Sequence, residues 1–386
     1  MKYIKRDIEP EALKLIKGFP VLTITGPRQS GKTTLARHLF PSLPYFNFEN
    51  PDTRRFATQD PRSFLSGLTK GAILDEFQHV PDILSYLQQI ADEKRDKIRF
   101  ILTGSNHLSV MDRVSQSLAG RTAILKLLPF SLHELKKDLP VTTDDLLIKG
   151  FYPAVYADKI EAFKFYRNYY ETYLQRDVRQ LIQVRDLNLF DKFIRLCAGR
   201  IGSVLNISSL ANDAGLSVTT IRHWLSVLEA SFVLMLLPPF YDNISKRLIK
   251  SPKLYFYDTG LAAYLLGITH AEQMSRDPLR GSVFENLVIL EILKQRFNEG
   301  LDPSMFFFRD SHHMEVDLVL RRGNQLIPVE IKSSGTYHPD FLKGLNYFEK
   351  LFRERVTESW LIYDGKLEQT GPRKIMNYRT YSMKGF

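Results

Sequence analysis

The apolar positions of the chain change rhythm twice. In the first third, short β-branched or aliphatic runs recur at residues 21–25 (VLTIT), 45–48, 72–74, 100–103 and 122–128. Each has strand length, and each leads into a polar or glycine-bearing turn. After the first of them, TLARHLF opens a helix. From about Phe151 the period becomes helical: Phe165, Tyr166, Tyr169, Tyr170, Tyr173 and Leu174 share one face of a helix within 165–184. ISSLANDAG then reads as a helix stopped by glycine. The next stretch, LSVTTIRHWLSVLEASFVLMLLPPF, reads as a turn, a second helix and an apolar strand. Ser217 or Thr219 caps that second helix, with Ile221, Leu225 and Leu228 on its inner face. Helix, glycine turn, helix, strand is the layout of a winged helix-turn-helix. The last third predicts an amphipathic helix over 284–297 and strands over 305–309, 315–320 and 327–332.

These rhythms predict three domains in the 386 residues. They are an α/β domain over 1–140, whose motifs below make it a P-loop domain, a helical, winged-helix module over 141–270, and an α/β domain over 271–386, which a resemblance given below makes nuclease-like. Linkers are expected around 136–145 and 270–281.

The chemistry of the first third is specific. Residues 21–25 run straight into Gly26-x-x-x-x-Gly31-Lys32-Thr33, in the strand–loop–helix setting a P-loop requires. Its glycines let backbone amides face phosphates, and the helix N-terminus adds partial positive charge. Gly26, Pro27, Arg28, Gln29, Ser30, Gly31, Lys32, Thr33 and Thr34 are therefore expected to bind ATP. Lys32 would rest on the β- and γ-phosphates and Thr33 on Mg²⁺. The run 72–74 ends in Asp75-Glu76, 43 positions after Lys32. Asp75 is the expected second Mg²⁺ ligand and Glu76 the residue that polarises the attacking water. Ser105 and Asn106, at the tip of the run 100–103, are sensor candidates or an ordinary turn. Arg121 reads either as an arginine finger, on its own or a neighbour's nucleotide, or as a surface or nucleic-acid arginine.

GPRQSGKTT, ILDEFQHVP, ILTGSNHLS and LAGR resemble the AAA-type ATPase domain of a widespread prokaryotic group that carries a C-terminal domain of unknown function, DUF4143. The resemblance continues at YLQRDV, YFYDTGL, FEN and EVD, and so covers nearly the whole chain, with 151–386 approximating the DUF4143 region. It implies ATP binding and a multidomain layout, and leaves the biological role open.

In the last third, Glu285 on a helix precedes Asp317 on a strand. Glu330-x-Lys332 follows on another, with period-two spacing that puts both side chains on one face. This order resembles the PD-(D/E)xK nuclease fold. Asp317 and Glu330 would bind one or two Mg²⁺ ions, with Glu285 assisting, and Lys332 would position the attacking water. Ser333, Ser334 and His313 are candidate substrate contacts. In the middle module, Thr219, Thr220, Arg222, His223 and Ser226 form a candidate DNA-reading face, and 243–253 (NISKRLIKSPK) a basic wing.

Net charge is +10 and the pI about 9.4, which favours polyanionic partners, nucleic acid and DNA first. One cysteine, Cys197, excludes an internal disulfide and fits a reducing cytosol. The longest apolar run, 232–240, is too short to span a bilayer, so no membrane partner is expected and the location is read as cytoplasmic. The expectation is an ATP-hydrolysing AAA-type protein whose nucleotide state controls a nucleic-acid-binding effector region, with a homo-oligomer needed if Arg121 acts in trans. Two alternatives stand beside it: an ATP-regulated, metal-dependent DNA nuclease, and a signalling or scaffold ATPase that binds only proteins.

Overall fold

A parallel sheet puts the carboxyl ends of all its strands on one edge, and the first part of the chain builds such a sheet. Its strands are β1 (Val21–Gly26), β2 (Tyr45–Asn47), β3 (Gly71–Asp75), β4 (Arg99–Ser105) and β5 (Thr122–Lys126), in the order β2-β3-β4-β1-β5, all parallel. The computed structural model describes residues 3–93, 98–105, 114, 116–136, 138–140, 142–178, 186–241 and 250–384.

Side-chain alternation explains why this sheet is covered on both faces. Ala72, Leu74, Phe100 and Leu102 join one buried cluster with Phe64, Leu84 and Leu87. Their neighbours Ile73 and Ile101 join another, with Leu22, Ile24, Ala12, Leu35 and Ala36. Helices α1 (Glu9–Gly18) and α2 (Lys32–Leu39) supply the second face. The chain forms two compact units, the first being 1–130 with 230–232 and 296–301, and the second the remainder.

The second unit contains a helix–turn–helix and two further sheets. In α3 (Ile207–Ala214) the Asn206 side chain caps the start, and Gly215, at φ 74°, ends it in the left-handed region. Ser217 Oγ accepts from Thr220 N–H at the start of α4 (Val218–Ala230), which buries Ile221, Trp224, Leu225 and Leu228. Strand β6 (Leu234–Leu237) pairs antiparallel with β7 (Lys253–Phe256). After α5 (Arg280–Asn298) comes a five-stranded sheet of β8 (Met305–Arg309), β9 (Glu315–Arg322), β10 (Gln325–Lys332), β11 (Ser359–Tyr363) and β12 (Arg373–Asn377), in the order β12-β11-β10-β9-β8. The pairs β8–β9 and β9–β10 are antiparallel, and β10–β11 and β11–β12 parallel. Helix α6 (Lys343–Leu351) covers it through Leu345 and Phe348, against Phe308, Val316 and Val319. No helix among the described residues is long and apolar enough to cross a membrane. Cys197 is fully buried, and burial pushes its thiol well above the usual range.

The YFYDTGL stretch has a structural explanation. Asp258 is 1% exposed and accepts from the Tyr166 hydroxyl (2.6 Å), Phe151 N–H (2.9 Å) and Leu261 N–H (3.1 Å). Burial raises its pKa, against the pull of those donors. A Cβ on Gly260 would stand 2.4 Å from the Tyr166 ring, so only glycine admits that tyrosine. Asp258→Ala strands three buried donors and is expected to cost about 2–4 kcal/mol. Urea denaturation followed by tryptophan fluorescence reads this directly, because Trp224 and Trp360, the chain's two tryptophans, both lie in the second unit. An unmoved midpoint would refute the anchoring role.

Candidate functional site

At the carboxyl edge of the first sheet, β1 ends at Gly26 and β4 at Ser105, and the two residues are register partners. Gly26 has φ 149°, and a Cβ there would lie 2.1 Å from the Leu127 carbonyl oxygen, so the loop needs glycine to leave the strand. Gly31 begins α2 at φ 95°, which glycine adopts without strain. Between them the chain folds around the Lys32 ammonium, which donates to the carbonyls of Gly26 (3.1 Å) and Pro27 (2.8 Å). Burial lowers the Lys32 pKa from 10.5 to about 8, while Glu76 and Asp75 pull it back up and Arg28 lowers it further.

The Thr33 hydroxyl lies 3.0 Å from both Asp75 carboxylate oxygens. The two expected magnesium ligands are therefore adjacent, and both are hard oxygen donors of the kind Mg²⁺ takes. Asp75 also accepts from Tyr45 (2.7 Å) and in a short hydrogen bond from Thr103. Glu76 follows with φ 54°, a left-handed backbone that costs a non-glycine residue about 1–3 kcal/mol. Its carboxylate accepts from the Gln78 side chain. The pattern of residue types gave no signal for Tyr45 and Thr103, since both reach Asp75 only through strand order. Arg6 was also beyond sequence reading. It is 4% exposed, donates to the Ser30 (2.9 Å) and Leu128 (2.6 Å) carbonyls and packs over the Phe130 ring, bracing the P-loop from beneath.

Ser105 ends β4 beside Gly26 in register; Asn106 lies outside the described residues. Arg121 is placed elsewhere. It directly precedes Thr122, the register partner of Val21, so it sits at the amino edge of the sheet, opposite the P-loop. There both arms of its guanidinium grip Asp92 (2.6 and 2.8 Å). That places it across the sheet from the P-loop rather than beside it.

In the second unit, Glu285, Asp317, Glu330 and Lys332 do come together. Lys332 Nζ lies 2.6 Å from Glu330 and 3.5 Å from Asp317. Asp317 also accepts from the Ile331 N–H (2.8 Å). Three residues not expected here complete the cluster: Lys253, Tyr255 and Glu315. Lys253 Nζ lies 2.9 Å from Glu285, 2.6 Å from Glu315 and 3.9 Å from Asp317, and the Tyr255 hydroxyl donates to Glu285. Burial raises Glu285 to about 7 against the pull of Lys253, and raises Glu330 to about 8, helped by Asp317. Burial alone would lower Lys253, but Glu285, Asp317 and Glu315 outweigh it and hold the ammonium charged. Lys253 is thus a correction to the expected basic wing: at 3% side-chain exposure it faces carboxylates, not phosphates. Residues 243–249 of that wing lie outside the described residues. Ser333 gives its carbonyl to Arg280, Ser334 bonds within its own turn, and His313 contacts Arg309. Among the described residues no group of three or more His, Cys, Asp or Glu side chains is arranged to hold a metal.

Family models match three stretches of the chain. The AAA domain family matches residues 18–136, a domain of unknown function (DUF8612) matches 140–272, and a second (DUF4143) matches 280–381. An uncharacterised protein of Mycobacterium tuberculosis is 30% identical over 338 residues, covering 86% of this chain and 74% of its own. A Mycobacterium bovis protein gives the same figures. Among solved structures, a Walker-type ATPase of Pyrococcus abyssi is similar at 13% identity, over 68% of this chain and 96% of its own, with a TM-score of 0.43. A RuvB variant from Thermotoga maritima is similar at 18% identity, over 60% and 87%, with a TM-score of 0.29.

The Lys32 geometry predicts a proton linkage. The folded pKa lies below the ordinary 10.5, so the buried ammonium costs stability below about pH 8, a cost relieved as pH rises towards 10.5. Phosphates favour the charged form, so nucleotide binding at pH 8 should take up as much as about half a proton, and almost none at pH 6.5. Calorimetric titration in buffers of different ionisation enthalpy measures the uptake, and Lys32→Met should abolish it. Equal uptake at both pH values would contradict the assignment.

Proposed function

The chain belongs to the AAA-type ATPases that carry a C-terminal DUF4143 domain, and we propose that it binds ATP with Mg²⁺ at the P-loop, hydrolyses it, and uses the nucleotide state to control the second unit, with nucleic acid as the partner. The observation that carries the ATPase reading is the joined pair Thr33–Asp75 beside the buried Lys32 and the strained Glu76. In this reading Gly26 to Thr34 wrap the phosphate chain, and the Lys32 ammonium turns from the Gly26 and Pro27 carbonyls onto the phosphates. Thr33 and Asp75 hold Mg²⁺, which when bound neutralises charge on the phosphates. Glu76 accepts a proton from the attacking water, its direction fixed by the left-handed turn that carries it. Tyr45 and Thr103 hold the Asp75 carboxylate in orientation, and Ser105 and Asn106 serve as sensors.

The effector reading places a winged helix at α3, α4 and the β6–β7 hairpin, with 271–386 as a nuclease-like scaffold. What supports a nucleic-acid partner is the net charge of +10 and the exposure of Thr219, Arg222, His223 and Ser226 on one side of α4. Arg222 is the one charged residue among these four, which favours backbone contact over base reading. Arg121 acts in this scheme only on a neighbouring subunit's nucleotide, which requires an oligomer.

Glu76→Gln is expected to lower the hydrolysis rate about 10²–10⁴-fold while leaving nucleotide binding intact, and Lys32→Ala to lose both. Steady-state phosphate release and nucleotide titration separate the two. Added duplex DNA should stimulate hydrolysis and bind with an affinity that falls steeply with salt. Hydrolysis indifferent to DNA, with no salt-sensitive binding to duplex or single-stranded probes, would turn the search to a protein partner.

A further inference from the structure

We infer that the acidic cluster of the second unit is closed to divalent cations by Lys253 and acts as an ionic lock between the β6–β7 hairpin and the β8–β12 sheet, in place of the metal centre its sequence pattern implies. This inference stands apart from the ATPase reading, since it concerns other residues in the other unit.

A divalent cation needs several carboxylate or carbonyl oxygens at about 2.0–2.6 Å around one point. In this cluster an ammonium takes that point, within 2.6–3.9 Å of Glu285, Glu315 and Asp317. Both Asp317 oxygens lie beside an ammonium: one is 3.9 Å from Lys253, and the other accepts the Ile331 N–H and lies 3.5 Å from Lys332. Arg309 adds a further positive charge 3.4 Å from Glu315. Four carboxyl groups thus face two ammoniums and a guanidinium, so even fully ionised they leave only about one negative charge against the two that a divalent ion brings. Buried charges of one sign so close together repel strongly, so cation entry requires Lys253 to leave.

Lys253 has nowhere to go. Its backbone pairs with Leu237 on one side and Val204 on the other, and its side chain is 3% exposed. Its ammonium also lies 5.7 Å from the Phe307 ring centre on β8. The lock coincides with a backbone junction: Phe240 N–H donates to the Phe307 carbonyl, and Phe307 N–H to that of Pro238. Glu330 Oε2 is the one buried carboxylate oxygen of the cluster without a hydrogen-bond partner. It looks onto the backbone of α6 at Gly344, where a Cβ would stand 3.1 Å away. One oxygen does not make a divalent site.

The test is terbium(III) titration of the full chain carrying Asp75→Asn, which removes the P-loop's own cation ligand. Tyr255, bonded to Glu285, is the sensitising ring. The expected result is no luminescence that depends on Asp317, judged by comparison with the same chain also carrying Asp317→Asn. Adding Lys253→Met to the Asp75→Asn chain should create one terbium site that Asp317→Asn abolishes, together with a lower melting temperature that Mn²⁺ restores. An Asp317-dependent site in the chain with Lys253 intact would overturn the inference. So would metal-dependent nicking of DNA by the wild type that Asp317→Ala removes, or a Lys253→Met chain that is folded by circular dichroism yet gains no site. Should Lys253→Met fail to fold, the comparison of Lys253-intact chains with and without Asp317→Asn still decides.

Discussion

A carboxylate at the buried end of a strand must be answered by donors, and much of the first unit is arranged to answer Asp75. Thr33 comes from the first turn of α2, Tyr45 from β2 and Thr103 from β4. The last two can reach only if β3 lies between β2 and β4, with all three running the same way. The sheet order thus settles the electrostatics of Asp75 before any nucleotide arrives, and removing one donor leaves a charge for which burial has already been incurred. The same requirement explains the backbone at Glu76. With its predecessor pinned by three hydroxyls, the chain has to turn sharply, and it does so through a left-handed residue.

What could be read from the sequence follows from how far apart the cooperating residues lie. The P-loop was legible because phosphate binding uses adjacent residues, and nine positions in a row carry it. The strands at 21–25, 72–74 and 100–103 were legible because both faces of a parallel sheet are buried, which leaves continuous apolar runs. Tyr45, Thr103 and Arg6 were not, because each acts across 24 to 122 positions of chain. Arg121 shows the converse. Its neighbours in sequence suggested a place near the nucleotide, but its register with Val21 sets it at the far end of the strand. Strands β7, β11 and β12 escaped the pattern reading. A lysine in a basic stretch reads as a surface residue until the fold shows what it faces.

The second unit repeats the lesson of Asp75 by a different route. Asp258 gathers three neutral donors and is settled locally. Glu285, Glu315 and Asp317 are settled by a cation from another sheet. Such ionic pairing gives little net stability over a well-packed apolar alternative, but it tolerates no missing partner. It therefore suits a junction between elements whose relative placement matters more than their binding strength.

The position of β1 has a temporal side. It is the earliest strand of the sheet to be synthesised, yet both of its neighbours, β4 and β5, come from 99–126. A nascent chain that has left the ribosome only as far as β3 carries the entire phosphate-binding loop and no walls to support it. Only when Leu128 has emerged can Arg6 close on its carbonyl. Such long-range pairing makes for slow folding, and the loop after β1 gains its strand neighbours and its Arg6 brace only once residues 99–128 have been made.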